Sequence, residues 1–202
     1  MENKNYSNAF MVLRKDKVMA FLIEKFGDQI DITDRYDNNF SKAIADLIIE
    51  QQISFKAAIS IKKKFNQLVC NTNNVLEVSD ENLRSIGISS RKVEYIKNVY
   101  KFFYNKKIDF NTLSDKDIIK TLCEIKGVGS WTSQMFLIFI LFREDVFSKK
   151  DLALINSIKI NYNITELSDK KLDKLILSWK PFNSIASLLL WKSIEEKEFY
   201  IK

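Results

Sequence analysis

Residues 122–135 read LCEIKGVGSWTSQM, and this stretch decides the fold that the sequence predicts. It places Gly127 and Gly129, two of the chain's four glycines, in one short turn between two segments of helical periodicity. Glycine is used where the backbone needs a positive φ angle or must come close to another group. A glycine turn that opens a helix also points N–H groups outward, where they can bind a phosphate. Taken alone, the turn fits either a phosphate-binding hairpin or a simple connection between two helices.

The composition around this turn favours an all-α protein. One proline and four glycines punctuate 202 residues, whereas turn-rich β folds need both residue types at every connection. Ser114, with Asp117 three residues later, predicts a capping-box start for the helix before the turn, and Ser130 or Trp131 opens the helix after it. That second helix is apolar nearly all round and should form the buried centre of the fold. Apolar spacing predicts helices over residues 10–26, 40–69 with a break near 51–54, 79–86, 90–104, 114–125, 130–142, from 152 onward, 168–179 and 181–194, with a loop over 71–74.

The chain has no histidine, and this absence excludes several kinds of active site. Ser-His-Asp and Cys-His nucleophilic sites, histidine general bases and histidine-ligated zinc all require that side chain. The two cysteines, Cys70 and Cys123, are too few for a structural zinc or an iron–sulfur cluster. We expect them to be small buried thiols in a reducing compartment.

The balance of charge suggests a polyanionic partner. The chain carries 32 Lys and Arg against 26 Asp and Glu, a formal charge of +6. Nucleic acid is the commonest partner of such a chain, although dispersed lysines also form an ordinary solvated surface. Residues 1–10 are polar, and the longest apolar run, 135–142, is far too short to span a membrane. We therefore expect a soluble intracellular protein without a membrane partner, in the cytoplasm and nucleoid or in a nucleus.

The wider sequence resembles the helix-hairpin-helix DNA glycosylase superfamily. Its hairpin reads hydrophobic-Pro-Gly-hydrophobic-Gly, and residues 122–135 match this pattern except that Lys126 stands at the proline position. Further stretches are similar to superfamily segments and occur in the same order: IIEQQISFKAA over 48–58, LRSIGISSRKV over 83–93, DVFSKKDLAL over 145–154, and WKPFNSIASLLLW over 179–191. Within the superfamily, the set resembles the DNA-3-methyladenine glycosylase II family in its compact form, which lacks the extra N-terminal α/β domain.

This resemblance implies both a fold and an activity. The expected fold is all-α, with two helical lobes and the active site between them, in a single domain over residues 1–202 whose helix-hairpin-helix spans about 114–142. The implied activity is monofunctional hydrolysis of the N-glycosidic bond of alkylated purines, such as 3-methyladenine and 7-methylguanine, after base flipping. The expected partner is double-stranded DNA with damaged bases, bound by a monomer. A non-catalytic helix-hairpin-helix DNA-binding module and a helical protein-interaction scaffold are the alternatives.

The resemblance also assigns roles to residues. It makes Asp151 the catalytic carboxylate, which would stabilise the oxocarbenium ion and activate water, whereas the residues alone would suggest a solvated surface Asp. It places Gln52 at the position that fills the gap left by the flipped base; a helix-capping or core amide is the alternative. Phosphate contacts are assigned to Lys126, Gly127, Val128, Gly129 and Ser130, and the base pocket to Trp131, Met135 and Trp191. Met135 stands where some relatives have an aromatic residue, and Asn183 replaces the usual arginine.

Trp131 also bears on the reaction class and on cofactors. Bifunctional relatives have a lysine at this position whose amine forms a Schiff base, which tryptophan cannot do. The resemblance therefore predicts base release without strand cleavage. It implies no required cofactor and no iron–sulfur cluster, and it suggests a structural Na⁺ or K⁺ held by carbonyls of the hairpin.

Overall fold

A computed structural model describes residues 6–70 and 75–200, and within them the chain forms eleven α-helices, two short 3₁₀ turns and no strand. The all-α prediction is confirmed. The helices are α1 (Ser7–Leu13), α2 (Lys17–Phe26), α3 (Phe40–Glu50), α4 (Phe55–Cys70), α5 (Asp80–Ser85), α6 (Ser90–Asn105), α7 (Asp115–Leu122), α8 (Ser130–Phe139), α9 (Leu152–Asn161), α10 (Asp169–Ser178) and α11 (Asn183–Glu196). The loop predicted over 71–74 lies outside the described residues.

The helices divide into two compact units. The central unit is one continuous stretch, Arg35–Leu141, and contains α3 to α8. The terminal unit combines residues 6–34 with residues 142–200 and contains α1, α2 and α9 to α11. None of the described helices is long and apolar enough to cross a membrane.

The central unit is built around α3 and α8. Helix α3 packs against α4, α6 and α8. The rings of Phe40, Phe110 and Phe136 meet edge to face with centroids 5.2–5.5 Å apart, an arrangement that aromatic pairs favour. Most of α8 is buried, as the sequence predicts. The helix ends at Phe139 rather than near residue 142, because the Leu141 N–H turns back to the carbonyl of Phe136.

Asp16 organises the terminal unit. Its side chain caps α2 by accepting hydrogen bonds from the N–H groups of Val18 and Met19, and it also accepts from Tyr162 Oη at 2.6 Å and from Trp179 Nε1 at 3.3 Å. Burial, and then the negative charge of Asp16, raises the pKa of Tyr162, so its hydroxyl stays a donor. The single helix predicted over residues 10–26 is therefore wrong. The extended backbone of Asp16 divides it into α1 and α2.

Serine side chains cap four of the other helices, α5, α6, α7 and α10, and each of these helices begins within one residue of its predicted start. Ser79, Ser89 and Ser168 each accept a hydrogen bond from an N–H group in the first turn of the following helix. Ser114 does the same for Asp117, and its hydroxyl donates to the Asp117 carboxylate at 2.6 Å. The capping-box start of α7 is thus confirmed.

The end of α7 departs from the prediction in two ways. The helix stops at Leu122 rather than near Ile125. The N–H groups of Glu124 and Ile125 donate to carbonyls three residues earlier in the chain, which is the pattern of a 3₁₀ turn and not of an α-helix. Cys123 lies on this tightened segment and is exposed, so the expectation that it is buried is wrong. The side chain of Cys70 lies outside the described part of the structure.

Replacing Asp16 with alanine should lower the free energy of unfolding by about 2–4 kcal/mol, because the change removes a helix cap and strands two part-buried donors. Denaturant unfolding followed by circular dichroism measures the effect. Asp28→Ala is the control, since Asp28 is exposed just after the C-terminal end of α2. Equal stability of the two variants would show that Asp16 does not hold this unit together.

Candidate functional site

The hairpin turn requires glycine at position 127 for reasons within the protein. Gly127 has φ +105°, a region that residues with a side chain rarely adopt. A Cβ atom there would also lie 2.1 Å from Cγ of Tyr95. The turn is closed by a hydrogen bond from the Val128 N–H to the carbonyl of Ile125 at 2.9 Å. Close packing and backbone geometry therefore both exclude a side chain at this residue.

Gly129 is different, because nothing within the described structure requires glycine there. It precedes α8 with an ordinary extended conformation, and a Cβ atom at this position would meet no atom within 4 Å. No side chain caps α8 at this position, unlike the serine and aspartate caps of other helices. A helix N-terminus carries partial positive charge and orphan N–H donors. An exposed glycine beside it suits the close approach of an external anion.

Lys126 lies at the exposed edge of the same turn. Its ammonium group pairs with Glu94 at 2.5 Å, and that hydrogen bond raises the pKa of Lys126. Both side chains are at least half exposed, so a stronger anion can displace Glu94 at little cost.

The hairpin carbonyls are suitable donors for the cation that the sequence resemblance implies. The carbonyls of Ile125, Lys126 and Gly127 each accept one hydrogen bond, from Val128 N–H, Asn98 Nδ2 and Gln51 Nε2. A carbonyl oxygen has a second lone pair, and backbone carbonyls are ligands that K⁺ accepts. Among the described residues no cluster of three or more Cys, Asp or Glu side chains could hold another metal. A monovalent ion at the hairpin stays a prediction.

Gln52 lies at an exposed turn between α3 and α4. It has φ +56°, which is uncommon outside glycine, and its side chain makes no hydrogen bond among the described residues. The alternative of a helix-capping or core amide therefore does not describe it. A cavity of about 230 Å³ lies beside it, lined also by Gln51, Ile53 and Lys92. The side chain is available to an external partner.

The neighbouring Gln51 and Lys92 were not assigned a role from the sequence. The amide of Gln51 donates to the carbonyl of Gly127 at 3.3 Å and to Thr132 Oγ1 at 2.9 Å, so it links the end of α3 to the hairpin. Lys92 Nζ donates to the carbonyls of Ile49 and Gln51 at 2.8 and 2.6 Å. Desolvation lowers the pKa of Lys92. The only sequence signal for these contacts was that both residues fall in superfamily-like segments.

Asp151 is a buried carboxylate at the start of α9. It is 8% exposed, and no other charged residue among those described is as deeply buried. Its Oδ1 atom accepts hydrogen bonds from the Leu154 N–H at 2.9 Å and from Trp191 Nε1 at 3.2 Å. The solvated surface Asp that the residues alone suggest is thus not observed. The cap and the indole fix the carboxylate in one orientation.

The segment leading to Asp151 is anchored by the start of α11. Ser184 Oγ donates to the carbonyl of Arg143 at 2.6 Å and accepts from the Val146 N–H at 3.1 Å. Asn183, where the sequence resemblance leads one to expect arginine, donates to Asp145 at 2.5 Å. These contacts link the start of α11 to the segment that carries Asp151. Sequence reasoning did not single out Ser184.

The predicted site residues are distributed over both units. Asp151 and Trp191 are brought together in the terminal unit. Gln52, the hairpin, Trp131 and Met135 belong to the central unit. Trp131 is half-buried in the first turn of α8, whereas Met135 is only 1% exposed. A second cavity, of about 480 Å³ and lined by Lys17, Asn161, Tyr162 and Tyr200 among others, contains none of the predicted site residues.

Known proteins resemble this chain in sequence. It is 32% identical over 165 residues to YfjP of Bacillus subtilis (strain 168), a match that covers 73% of this chain and 56% of that protein. It is 29% identical over 156 residues to DNA-3-methyladenine glycosylase 1 of Schizosaccharomyces pombe, covering 72% of this chain and 68% of that one. The chain thus spans little more than half the length of the Bacillus relative.

Solved structures share the fold. The S. pombe 3-methyladenine DNA glycosylase Mag1, in complex with abasic DNA, superposes with a TM-score of 0.86 at 24% identity, covering 94% of this chain and 97% of that one. A DNA-3-methyladenine glycosidase from Bacillus halodurans has a TM-score of 0.73 at 30% identity, covering 99% and 96%.

The superfamily resemblance inferred from the sequence is confirmed by a direct family match. The family described as HhH-GPD superfamily base excision DNA repair protein matches residues 45–182, more than half of the chain. That range includes Gln52, the hairpin and Asp151. The chain belongs to the HhH-GPD superfamily of base excision DNA repair proteins.

Proposed function

We propose that this chain is a monofunctional DNA glycosylase that hydrolyses the N-glycosidic bond of alkylated purines in double-stranded DNA. The observation that carries the proposal is the buried, oriented carboxylate of Asp151 in a chain of this superfamily. The names of relatives such as the S. pombe DNA-3-methyladenine glycosylase 1 support alkylated purines as the substrate class.

Asp151 acts on the charge that develops on the sugar. As the C1′–N bond breaks, its electron pair goes to the base, and a cationic alkylated purine leaves as a neutral molecule. The deoxyribose gains oxocarbenium character, which a fixed carboxylate stabilises most where water is scarce. Water then supplies oxygen to C1′, and Asp151 accepts its proton. Because the leaving base is already activated, the reaction needs no strong general acid, consistent with a chain that has no histidine.

The target base must leave the stack before this chemistry, and Gln52 is suited to take its place. Extruding a base costs roughly a few kcal/mol, part of which is recovered when a side chain fills the gap. The exposed amide of Gln52 projects from a turn with a left-handed backbone. Trp191, which contacts Asp151, would favour a cationic base through a cation–π contact worth about 0.5–2 kcal/mol.

The duplex is held through its phosphates. Gly129 and the N-terminus of α8 offer one contact, and Lys126 can exchange Glu94 for a phosphate. Helix α4 adds a basic surface next to Gln52, because residues 51–76 contain no Asp or Glu. Its exposed lysines form no ion pair in the described structure: Lys56, Lys63 and Lys64. These features together suit a polyanion.

Asp151→Asn should reduce base release at least roughly a hundredfold and leave affinity for abasic DNA nearly unchanged. Asparagine is chosen because it caps helices as well as aspartate does, so α9 should remain intact while the charge is lost. Single-turnover release of methylated purines and equilibrium binding measure the two effects. Asp173→Asn, at an exposed residue of α10, is the control. Wild-type excision by the Asp151 variant would remove the carboxylate from its role.

The two hairpin glycines should respond differently to alanine. Gly129→Ala should fold normally but weaken binding to damaged and undamaged duplexes alike, since phosphate contacts carry no lesion information. Gly127→Ala should instead lower the free energy of unfolding, because of its positive φ angle and its contact with Tyr95. Thermal unfolding and titration with both duplexes separate the two effects. A Gly129 variant that loses affinity only for damaged DNA would contradict backbone anchoring.

The product should be an abasic strand without a break made by the enzyme, because Trp131 occupies the Schiff-base position. End-labelled methylated duplex should yield fragments only after alkali, and borohydride should trap no covalent adduct. Fragments without alkali together with an adduct would reveal another amine nucleophile, and Lys126, Lys149 and Lys150 would be mutated first. No fragments under either condition would instead favour a non-catalytic DNA-binding module.

A further inference from the structure

Gln51, the residue before the proposed gap-filling Gln52, makes contacts that the proposed chemistry does not use. Its amide lies 2.9 Å from Thr132 Oγ1 and 3.3 Å from the carbonyl of Gly127, and Thr132 is 1% exposed in the first turn of α8. One bond therefore reaches the hairpin turn itself and the other reaches the helix that follows it. The end of α3 is tied directly to the proposed phosphate-binding element.

Lys92 also binds the C-terminal end of α3, through backbone carbonyls. Helix α3 stops at Glu50, and the last carbonyls of a helix lack partners within it. Lys92 Nζ donates to two of the carbonyls in this region, those of Ile49 and Gln51. A cation is favoured at a helix C-terminus, and here it bridges two carbonyls across the bend in the chain. The next residue is Gln52, with its left-handed backbone.

The backbone of Gln52 is thus constrained by hydrogen bonds of the Gln51 and Lys92 side chains. Lys92 constrains the peptide carbonyl that joins Gln51 to Gln52, and the Gln51 side chain constrains the same residue relative to the hairpin. A conformation with φ +56° costs energy for a residue with a side chain and persists only where the surroundings hold it. Two independent sets of hydrogen bonds supply that constraint.

We propose that Gln51 and Lys92 are positioning residues that couple Gln52 to the hairpin. When the hairpin binds a phosphate, these contacts set how far Gln52 enters the duplex, and hence how well the extruded base is prevented from returning. This inference rests on the proposed function, since it assumes a flipped base. It assigns the two residues to the extrusion step and not to bond cleavage.

The test compares a paired target base with an unpaired one, because a variant that merely damages the structure would slow the release of both bases equally. For Gln51→Leu, single-turnover release of 7-methylguanine opposite cytosine should fall roughly tenfold, the usual effect of leaving buried polar groups unpaired. When the same lesion lies opposite a tetrahydrofuran abasic-site analogue, it has no pairing partner and leaves the stack more easily. The rate of release by Gln51→Leu should then fall by less than about threefold. An equal loss in both duplexes, or no loss in either, would overturn the coupling.

Further variants keep the proposal falsifiable if Gln51→Leu does not fold. Thr132→Val removes the hydroxyl acceptor at nearly constant shape and should show the same dependence on pairing. Lys92→Met should behave likewise, whereas Lys92→Arg should keep most of the wild-type rate because it retains a cationic donor. Gln29→Leu, at an exposed residue that follows α2 and has no proposed role, is the matched control and should change neither rate. A Lys92→Met variant with wild-type rates would remove Lys92 from the proposal.

Base extrusion can also be followed without excision. A 2-aminopurine next to the lesion brightens when its neighbour leaves the stack, and Gln51→Leu should reduce this signal while affinity for abasic DNA changes little. A wild-type chain that extrudes the base but never releases it would contradict the proposed glycosylase activity alone. A normal fluorescence change in Gln51→Leu would contradict the coupling alone.

Discussion

The left-handed turn at Gly127 is the constraint on which the central unit depends. It lets the chain reverse between α7 and α8 while the ring of Tyr95 packs where a side chain would otherwise project. The reversal delivers the buried helix α8 to α3 and exposes Gly129 at its N-terminus. The same turn offers the carbonyl to which Gln51 is bound. Core packing, proposed phosphate binding and the position of Gln52 therefore share one backbone geometry.

Two aspartates of the terminal unit show how similar local structure can serve different ends. Asp16 and Asp151 both cap a helix, and both accept a hydrogen bond from a tryptophan indole, Trp179 and Trp191 respectively. Asp16 accepts hydrogen bonds from buried side chains that are distant in the sequence, and its role is structural. Asp151 lies in the superfamily segment and carries the proposed chemistry. Capping and burial alone do not identify a catalytic carboxylate, so family membership decides between them.

The features that the sequence predicted correctly are those set by local chemistry. The capping box at Ser114, the apolar helix α8 and the hairpin turn follow from residues close together in the chain, and the structure has all three. The break at Asp16 was missed because its partners, Tyr162 and Trp179, lie about 150 residues away. Gln51 and Lys92 were missed for a related reason: a polar residue near a helix end normally faces solvent, and only tertiary contacts reveal otherwise. Asp151 was assigned by resemblance, and its burial could not be predicted from spacing.

The division into units has a consequence for how the chain is made. The central unit is continuous in sequence, so it can fold as soon as its own residues have been synthesised. Helix α2 must instead wait for its main partner, α11, which begins more than 150 residues later. At about 5–20 residues per second, the apolar face of α2 stays without that partner for roughly 8–30 seconds. Helix α2 is therefore made long before it can be buried, and its apolar face gives chaperones a reason to bind this segment.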